Sequence, residues 1–253
     1  MRLVSLLVLL LAASAAPHET WLMPAEFYLS AGCSMRFDVS SGMDFPNVEF
    51  PIDPSRISEA TCRINGKKTT LDNFSVSERS LTFLHEFSEN GVATIWLQLK
   101  PRQITLSDDD VEHYFTEIGA TEEIRALWMR QRGRKPWYET YTKCMKTFVK
   151  VGDGQDSSWV LPVGLELELV PQDDPFKAVV GKDFSVRLLF KGEPLKGFPV
   201  GIICLRREFV HTDSNGVARF KLKCPGKTLF FAVYLRSAEN WQSTFTTMTI
   251  DVK

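Results

Sequence analysis

Apolar residues recur with a period of two along two long stretches of this chain, and a shorter stretch between them switches to a period near 3.6. The first runs from about Met35 to Lys100 and holds Met35-Phe37-Val39, Leu81-Phe83 and Ala93-Ile95-Leu97-Leu99, separated by turns that carry Gly and Pro. Such alternation specifies half-buried antiparallel strands. The second begins at Leu165 and holds Leu165-Leu167-Leu169, Phe184-Val186-Leu188-Phe190, Val200-Ile202-Cys204, Ala218-Phe220-Leu222-Cys224, Phe230 to Leu235, and Met248-Ile250-Val252. Short strands at turn-separated intervals predict an immunoglobulin-like sandwich here. Gly192-Glu193-Pro194-Leu195, with Gly197 and Pro199, supplies the tight connections.

Between them, Val111, Tyr114, Phe115 and Ile118 fall at i, i+3, i+4 and i+7 behind Ser107, with Asp110 as its capping-box partner, and ahead of Gly119. A second helix is predicted from Thr121 as N-cap, turning Ile124, Leu127 and Trp128 inward and stopping at Gly133. A third is predicted with Trp137, Tyr141, Cys144 or Met145, and Phe148 on one face, ending at Gly152-Asp153-Gly154. The fold class expected is therefore mainly β, with two β-sandwich domains. Residues 16–105 form the N-terminal sandwich, 106–152 a helical insertion, and 163–253 the immunoglobulin-like sandwich, with a linker from Gly152 to Pro162.

Residues 1–15 carry an export signal: Arg2 gives a positive start, Leu3 to Leu11 an apolar run, and Ala13-Ser14-Ala15 the small residues a signal peptidase reads. A mature chain beginning at Ala16 is expected, since cleavage after Ala16 would place Pro17 next to the scissile bond. The run is too short for a spanning helix, so the chain is expected to be secreted or periplasmic without stable membrane insertion. With 30 Lys and Arg against 31 Asp and Glu, net charge gives no basis for nucleic-acid binding. Walker, GxGxxG, GxSxG and HExxH motifs are absent, and four histidines leave little for acid-base chemistry, so no enzyme is expected.

Five cysteines follow the signal, at positions 33, 62, 144, 204 and 224. Cys204 and Cys224 lie symmetrically about Ser214 on the same parity of a predicted hairpin, which places them opposite one another for a disulfide. Two buried thiols are the alternative. Cys33 with Cys62 is a weaker pairing, and Cys144, on the predicted third helix, is the odd one out.

Several segments together resemble a known family. HETWLMP at 18 to 24, GMDFPNVEFPIDPSRI at 42 to 57, YTKCMKTFVKVGD at 141 to 153, LPVGLELELVPQDDPF at 161 to 176, GEPLKGFPV at 192 to 200, TDSNGVARF at 212 to 220 and ENWQSTFTTMTIDV at 239 to 252 look like successive blocks of the NikM-like exported bacterial proteins. The resemblance implies a periplasmic component of nickel or cobalt uptake, whose partners would be a metal ion or a membrane transport component. Thr20 stands where the family's opening block usually has an aromatic residue, and Tyr234 where many members have a histidine. Five cysteines also exceed the family's habit.

His18 and Glu19 are the candidate metal ligands. A histidine near a mature N-terminus can bind Ni(II) or Cu(II) through imidazole, amine and deprotonated amides, but Pro17 has no amide proton to lose. The site would then need Glu19 or a distant His85, His113 or His211, and a copper-oxidase arrangement would need His18 itself as the first residue. In the alternative, His18, Glu19 and Trp21 simply begin a strand. His85 is predicted on a solvated strand face, His113 on a helix surface and His211 beside a turn. Asp108-Asp109-Asp110 is a helix start, where negative charge complements the dipole. Asp213-Ser214-Asn215-Gly216 is a turn without the distal glutamate of a calcium loop. Arg130, Arg132, Arg134 and Lys135 form a solvated helix end or, in the alternative, a contact for an anionic partner. The function expected is an exported, non-catalytic binding protein for nickel or cobalt. The alternative is an extracellular module that binds a protein or glycan through its loops without metal.

Overall fold

A computed structural model describes residues 18–154 and 156–253, so the expected signal peptide and its cleavage point lie outside the described residues. The longer strands before the helices are β1 (Glu19–Pro24), β2 (Cys33–Gly42), β3 (Ile57–Ile64), β4 (Lys67–Thr70), β5 (Leu81–Phe87), β6 (Gly91–Leu99) and β7 (Arg102–Leu106). Helices α1 (Asp108–Ile118) and α2 (Glu122–Met129) follow. Then come β8 (Trp137–Val151), β9 (Leu167–Pro171), β10 (Asp183–Phe190), β11 (Pro199–Ile203), β12 (Arg207–His211), β13 (Val217–Lys221), β14 (Gly226–Arg236) and β15 (Trp241–Val252).

The protein is mainly β and sandwich-like, built on one ten-stranded sheet ordered β12-β11-β14-β15-β8-β6-β3-β4, with β7 and Tyr28–Leu29 also on β8. A five-stranded sheet, β1-β2-β5 with two short strands, covers one half of it, and a four-stranded sheet built on β9, β10 and β13 covers the other. Each half has its own core. Phe37, Phe83, Ile95, Leu97, Met145 and Val149 fill the first; Leu167, Phe184, Val186, Phe230, Met248 and Phe148 fill the second.

The segment expected to be a third helix within 106–152 is instead β8, fifteen residues long. Its alternating set is Trp137, Glu139, Tyr141, Lys143, Met145, Thr147, Val149 and Val151, all buried. The charged members Glu139 and Lys143 hide the period of two, while Cys144, Lys146 and Phe148 are buried on the opposite face. With apolar residues on both faces, a spacing of three and four appears by coincidence. Composition favours the strand, because Thr140, Thr142, Thr147, Val149 and Val151 are β-branched. Strand β8 runs parallel to β15, from Glu139 opposite Trp241 to Thr147 opposite Thr249, and antiparallel to β6.

The two helices start where the sequence predicts, and the second ends at Met129, four residues before the expected stop at Gly133. The Ser107 hydroxyl accepts from the Asp110 N–H at 3.2 Å and Thr121 caps the second helix through the Ile124 N–H. Gly119 ends the first at φ 63°, in the left-handed region, where a Cβ would also lie 2.7 Å from the Phe209 ring. The helices cover one end of the large sheet through Val111, Tyr114, Phe115 and Trp128, which pack on Trp137 and Trp241. Asp108, Asp109 and Asp110 occupy the first turn of α1, and Arg132 pairs back to Asp108, Asp109 and Glu112.

One buried ion pair fastens the C-terminal half to β8. Lys146 Nζ lies 2.7 Å from Glu168 Oε1, with both side chains enclosed. The same carboxylate accepts the N–H groups of Val163, Gly164 and Leu165 at 2.8, 3.0 and 3.3 Å. Arg63, on β3, donates to the carbonyls of Ser158, Leu161 and Pro162 and so ties down the linker from the other side.

Cys204 and Cys224 are bridged, with Cα atoms 6.3 Å apart. The hairpin assumed for them does not form. The chain reverses directly after Cys204, so β11 pairs with β12 through Val200 opposite Val210 and Ile202 opposite Glu208, while β13 crosses to pair with β10 in the other sheet. The bridge therefore joins the two sheets of the sandwich. Cys33 is exposed, and Cys62 and Cys144 are buried, with burial pushing both thiols up to about 12; Cys144 sits on β8. Alkylation should label Cys33 alone in the native protein, three cysteines after denaturation without reductant, and five after reduction. Intact mass gives the count, and labelling of Cys204 and Cys224 without reductant would refute the bridge.

Candidate functional site

His18 and Glu19 open β1, which lies across the large sheet. Thr247 and Thr249 of β15 donate to the carbonyls of Thr20 and Leu22, each at 2.6 Å, so β1 is pinned by two buried hydroxyls. Lys143 of β8 donates to the His18 carbonyl and, at 2.9 Å, to the Thr20 hydroxyl. The Glu19 carboxylate is paired with Arg207 of β12, and that guanidinium also donates to the Glu117 carbonyl at 2.6 Å, which joins β1, α1 and β12. The His18 Nδ1 atom is buried and has no hydrogen-bond partner among the described residues. Burial and the neighbouring Lys143 hold the His18 imidazole below its ordinary value.

Two further ionisable groups complete this cluster. Glu139 accepts from the Tyr114 hydroxyl at 2.9 Å, the Trp137 indole at 2.8 Å and the Ser243 hydroxyl. Burial raises its carboxyl above the ordinary range, and burial together with Glu139 drives the Tyr114 phenol upward. Burial brings the Lys143 ammonium down to about 7, with Glu19 opposing that shift and Arg56 and Arg102 adding to it. Perturbed groups of this kind mark functional sites when they face a cleft, but Glu139 and Lys143 are enclosed by the helices, β1 and the sheet. Among the described residues, no three His, Cys, Asp or Glu side chains gather where a metal ion could sit.

Position 234 belongs to the opposite face of the sheet. On β14, Val233 packs under the helices with Phe245, whereas Tyr234 pairs with Thr244 and turns outward over the C-terminal half. Tyr234 stacks on Phe190 with centroids 4.2 Å apart and lies 5.8 Å from Phe198, giving a platform of three rings. Two depressions meet at Tyr234 and Arg236. One, of about 210 Å³, is walled by Thr140, Thr142, Glu166 and Gln242; the other, of about 580 Å³, runs between α2 and Lys196. Arg236 donates to Gln242 at 2.6 Å, and Thr244 to Glu166 at 3.1 Å. No motif in the sequence indicated this groove. Its signal is the pair Tyr234 and Arg236 on the parity opposite Val233 and Leu235, combined with the alternating Thr140 and Thr142 of β8.

The remaining sequence candidates are dispersed. His85 is half-buried with its ring edge-on to Phe87, and His211 lies exposed at the end of β12. Asp213 accepts from the Asn215 and Val217 N–H groups at 2.8 and 3.0 Å, as a turn requires.

A family model described as a domain of unknown function (DUF4198) matches residues 15–236. The chain belongs to this family. The match spans all but the last of the blocks that carry the NikM-like resemblance, and the family's description assigns neither activity nor metal. No curated protein matches the sequence. Among solved structures, the chain is similar to the D0-D1 domain of intimin (9% identity, 90% of this chain and 96% of that one, TM-score 0.22). It is also similar to the fibronectin(III)-like modules of Clostridium thermocellum CbhA (6%, 91% and 94%, TM-score 0.21). A third is Bacteroides ovatus SGBP-B in complex with a mixed-linkage heptasaccharide (11%, 91% and 46%, TM-score 0.22). At these scores the likenesses carry nothing about ligand or activity. No helix among the described residues is long and apolar enough to cross a membrane.

The sign of the Lys143 effect on stability follows from proton counting. Between about pH 7, where the folded amine titrates, and its ordinary value of 10.5, the unfolded chain holds the extra proton, so stability rises with pH across that window. The Lys143→Met variant should lose this rise, by up to about 1.4 kcal/mol per pH unit for one proton. Urea unfolding at pH 7, 8 and 9 checks it, and parallel slopes would contradict the assignment.

Proposed function

We propose that the protein is an exported, non-catalytic binding module that holds a saccharide in the groove at Tyr234. The observation that carries this reading is the placing of Tyr234, stacked on Phe190, with Arg236, Gln242, Glu166 and the threonines of β8 along one groove, where a second depression lined by Phe198 joins it. A sugar ring offers C–H bonds on its face and hydroxyls around its rim. An aromatic face with negative quadrupole suits the first, and side chains that donate and accept suit the second. Enclosure of Glu139 and Lys143 supports a non-catalytic role, since neither meets the groove.

Nickel or cobalt carriage, as the NikM-like resemblance implies, finds poor donors here. Glu19 is already paired with Arg207, the Lys143 amine binds the His18 carbonyl, and the imidazole's Nδ1 is buried. A position 234 histidine would face away from them, so the substitution by Tyr234 removes no ligand from this cluster. Export rests on the charge and apolar pattern of residues 1–15.

Affinity electrophoresis through gels containing xylan, laminarin or polygalacturonate tests the saccharide reading. At least one of these should retard the protein. The Tyr234→Ala variant should bind about tenfold more weakly, the worth of one stacked ring of about 1.4 kcal/mol, while Tyr234→Phe should retain binding. Equal retardation of wild type and Tyr234→Ala, or none in any gel, would overturn it.

A further inference from the structure

We infer that the open edge of the C-terminal sandwich, between β12 and β13, receives an extended acidic segment of a partner protein as an added strand. This site lies apart from the Tyr234 groove and rests on different residues.

Strand β12 is the last strand of the ten-stranded sheet, and β13 pairs on one side only, with β10. The Leu188 N–H donates to the Gly216 carbonyl and the Leu222 N–H to the Lys182 carbonyl. Even-numbered residues of β13 therefore pair toward β10, and the antiparallel alternation turns the N–H and C=O groups of Arg219 and Lys221 outward. Between the two edges lies a groove of about 400 Å³ with an apolar floor of Ile202, Val210 and Phe220. Leu205, 82% exposed, stands at its mouth beside the Cys204–Cys224 bridge. An added strand would thus find backbone partners and an apolar floor together.

Charge defines what that strand must be. Arg206, Arg219, Lys221 and Lys223 rim the groove against one acid, Glu208, which is itself paired with Arg206 and Lys223. On β13, Ala218 and Phe220 are buried while Arg219 and Lys221 are exposed. A strand laid beside β13 meets the apolar floor with alternate residues and the two cations with the others, so the complementary sequence alternates apolar and acidic residues. The same charges argue against a second copy of this chain, because pairing two β13 edges would set Arg219 and Lys221 against their own kind, a common protection of open edges.

Fluorescence anisotropy with synthetic eight-residue peptides tests the proposal on the full exported chain. A Glu-Val alternating peptide should bind saturably, and a Lys-Val peptide should not. The exposed double substitution Arg219→Glu/Lys221→Glu should weaken Glu-Val binding at least about tenfold. N-methylation of alternate Glu-Val amides, on the edge that faces β13, should weaken it similarly, because it removes the strand's donors. Equal affinity for the two peptides, no saturable binding, an unchanged double variant, or full binding of the methylated peptide would each overturn the proposal. So would sedimentation showing that the chain associates with itself through this edge.

Discussion

Strand β8 must bury both of its faces while carrying Glu139, Lys143 and Lys146, and meeting that demand organises the molecule. A buried charge persists only where partners replace its hydration. Lys146 therefore draws in Glu168, whose carboxylate in turn gathers the N–H groups of Val163, Gly164 and Leu165 and fixes the approach to β9. Lys143 recruits the His18 carbonyl and Thr20, and so fixes where β1 begins. Glu139 is satisfied from the helices by Tyr114 and from β15 by Ser243. Each charge on one strand thus locates a different neighbouring element.

Packing follows the same strand. Met145 and Val149 belong to the first core, Phe148 to the second, and Trp137 and Tyr141 to the cluster under the helices. Sharing one strand among three clusters aligns the β14 and β15 face that carries Tyr234 with the threonines of β8. It also sets what the start of β1 meets. The residues that looked most like ligands in the sequence, His18 and Glu19, lie under a lysine and an arginine because β1 closes the buried side of the sheet.

Much of this was legible in the sequence where one face meets water. The strands of both period-two stretches, the Ser107 and Thr121 caps, the Gly119 stop and the Asp213 turn all carry local signals that a single face or a few bonds decide. Strand β8 reads as a helix because two buried faces leave no polar alternation, and its buried charges occupy positions where apolar residues would have revealed the period. The symmetric spacing of Cys204 and Cys224 predicts the bridge through a hairpin register that the fold does not contain. Both end strands that reach the same rim of the sandwich from different sheets, and sequence spacing does not separate that arrangement from a hairpin. The Tyr234 groove escaped because Phe190, Phe198, Tyr234 and Gln242 are far apart in the chain and meet only after the sheets are stacked.

The claim that β8 holds the two halves together through a satisfied buried charge is tested most directly by removing one partner. Urea denaturation followed by tryptophan fluorescence should show the Glu168→Ala protein less stable than wild type by about 3–5 kcal/mol, the cost of leaving Lys146 buried without its counter-ion. Replacing Lys146 with Met in the same variant should recover a large part of that loss, because no orphaned charge remains. A Glu168→Ala penalty below about 1 kcal/mol, in the range of a surface pair, would contradict the account.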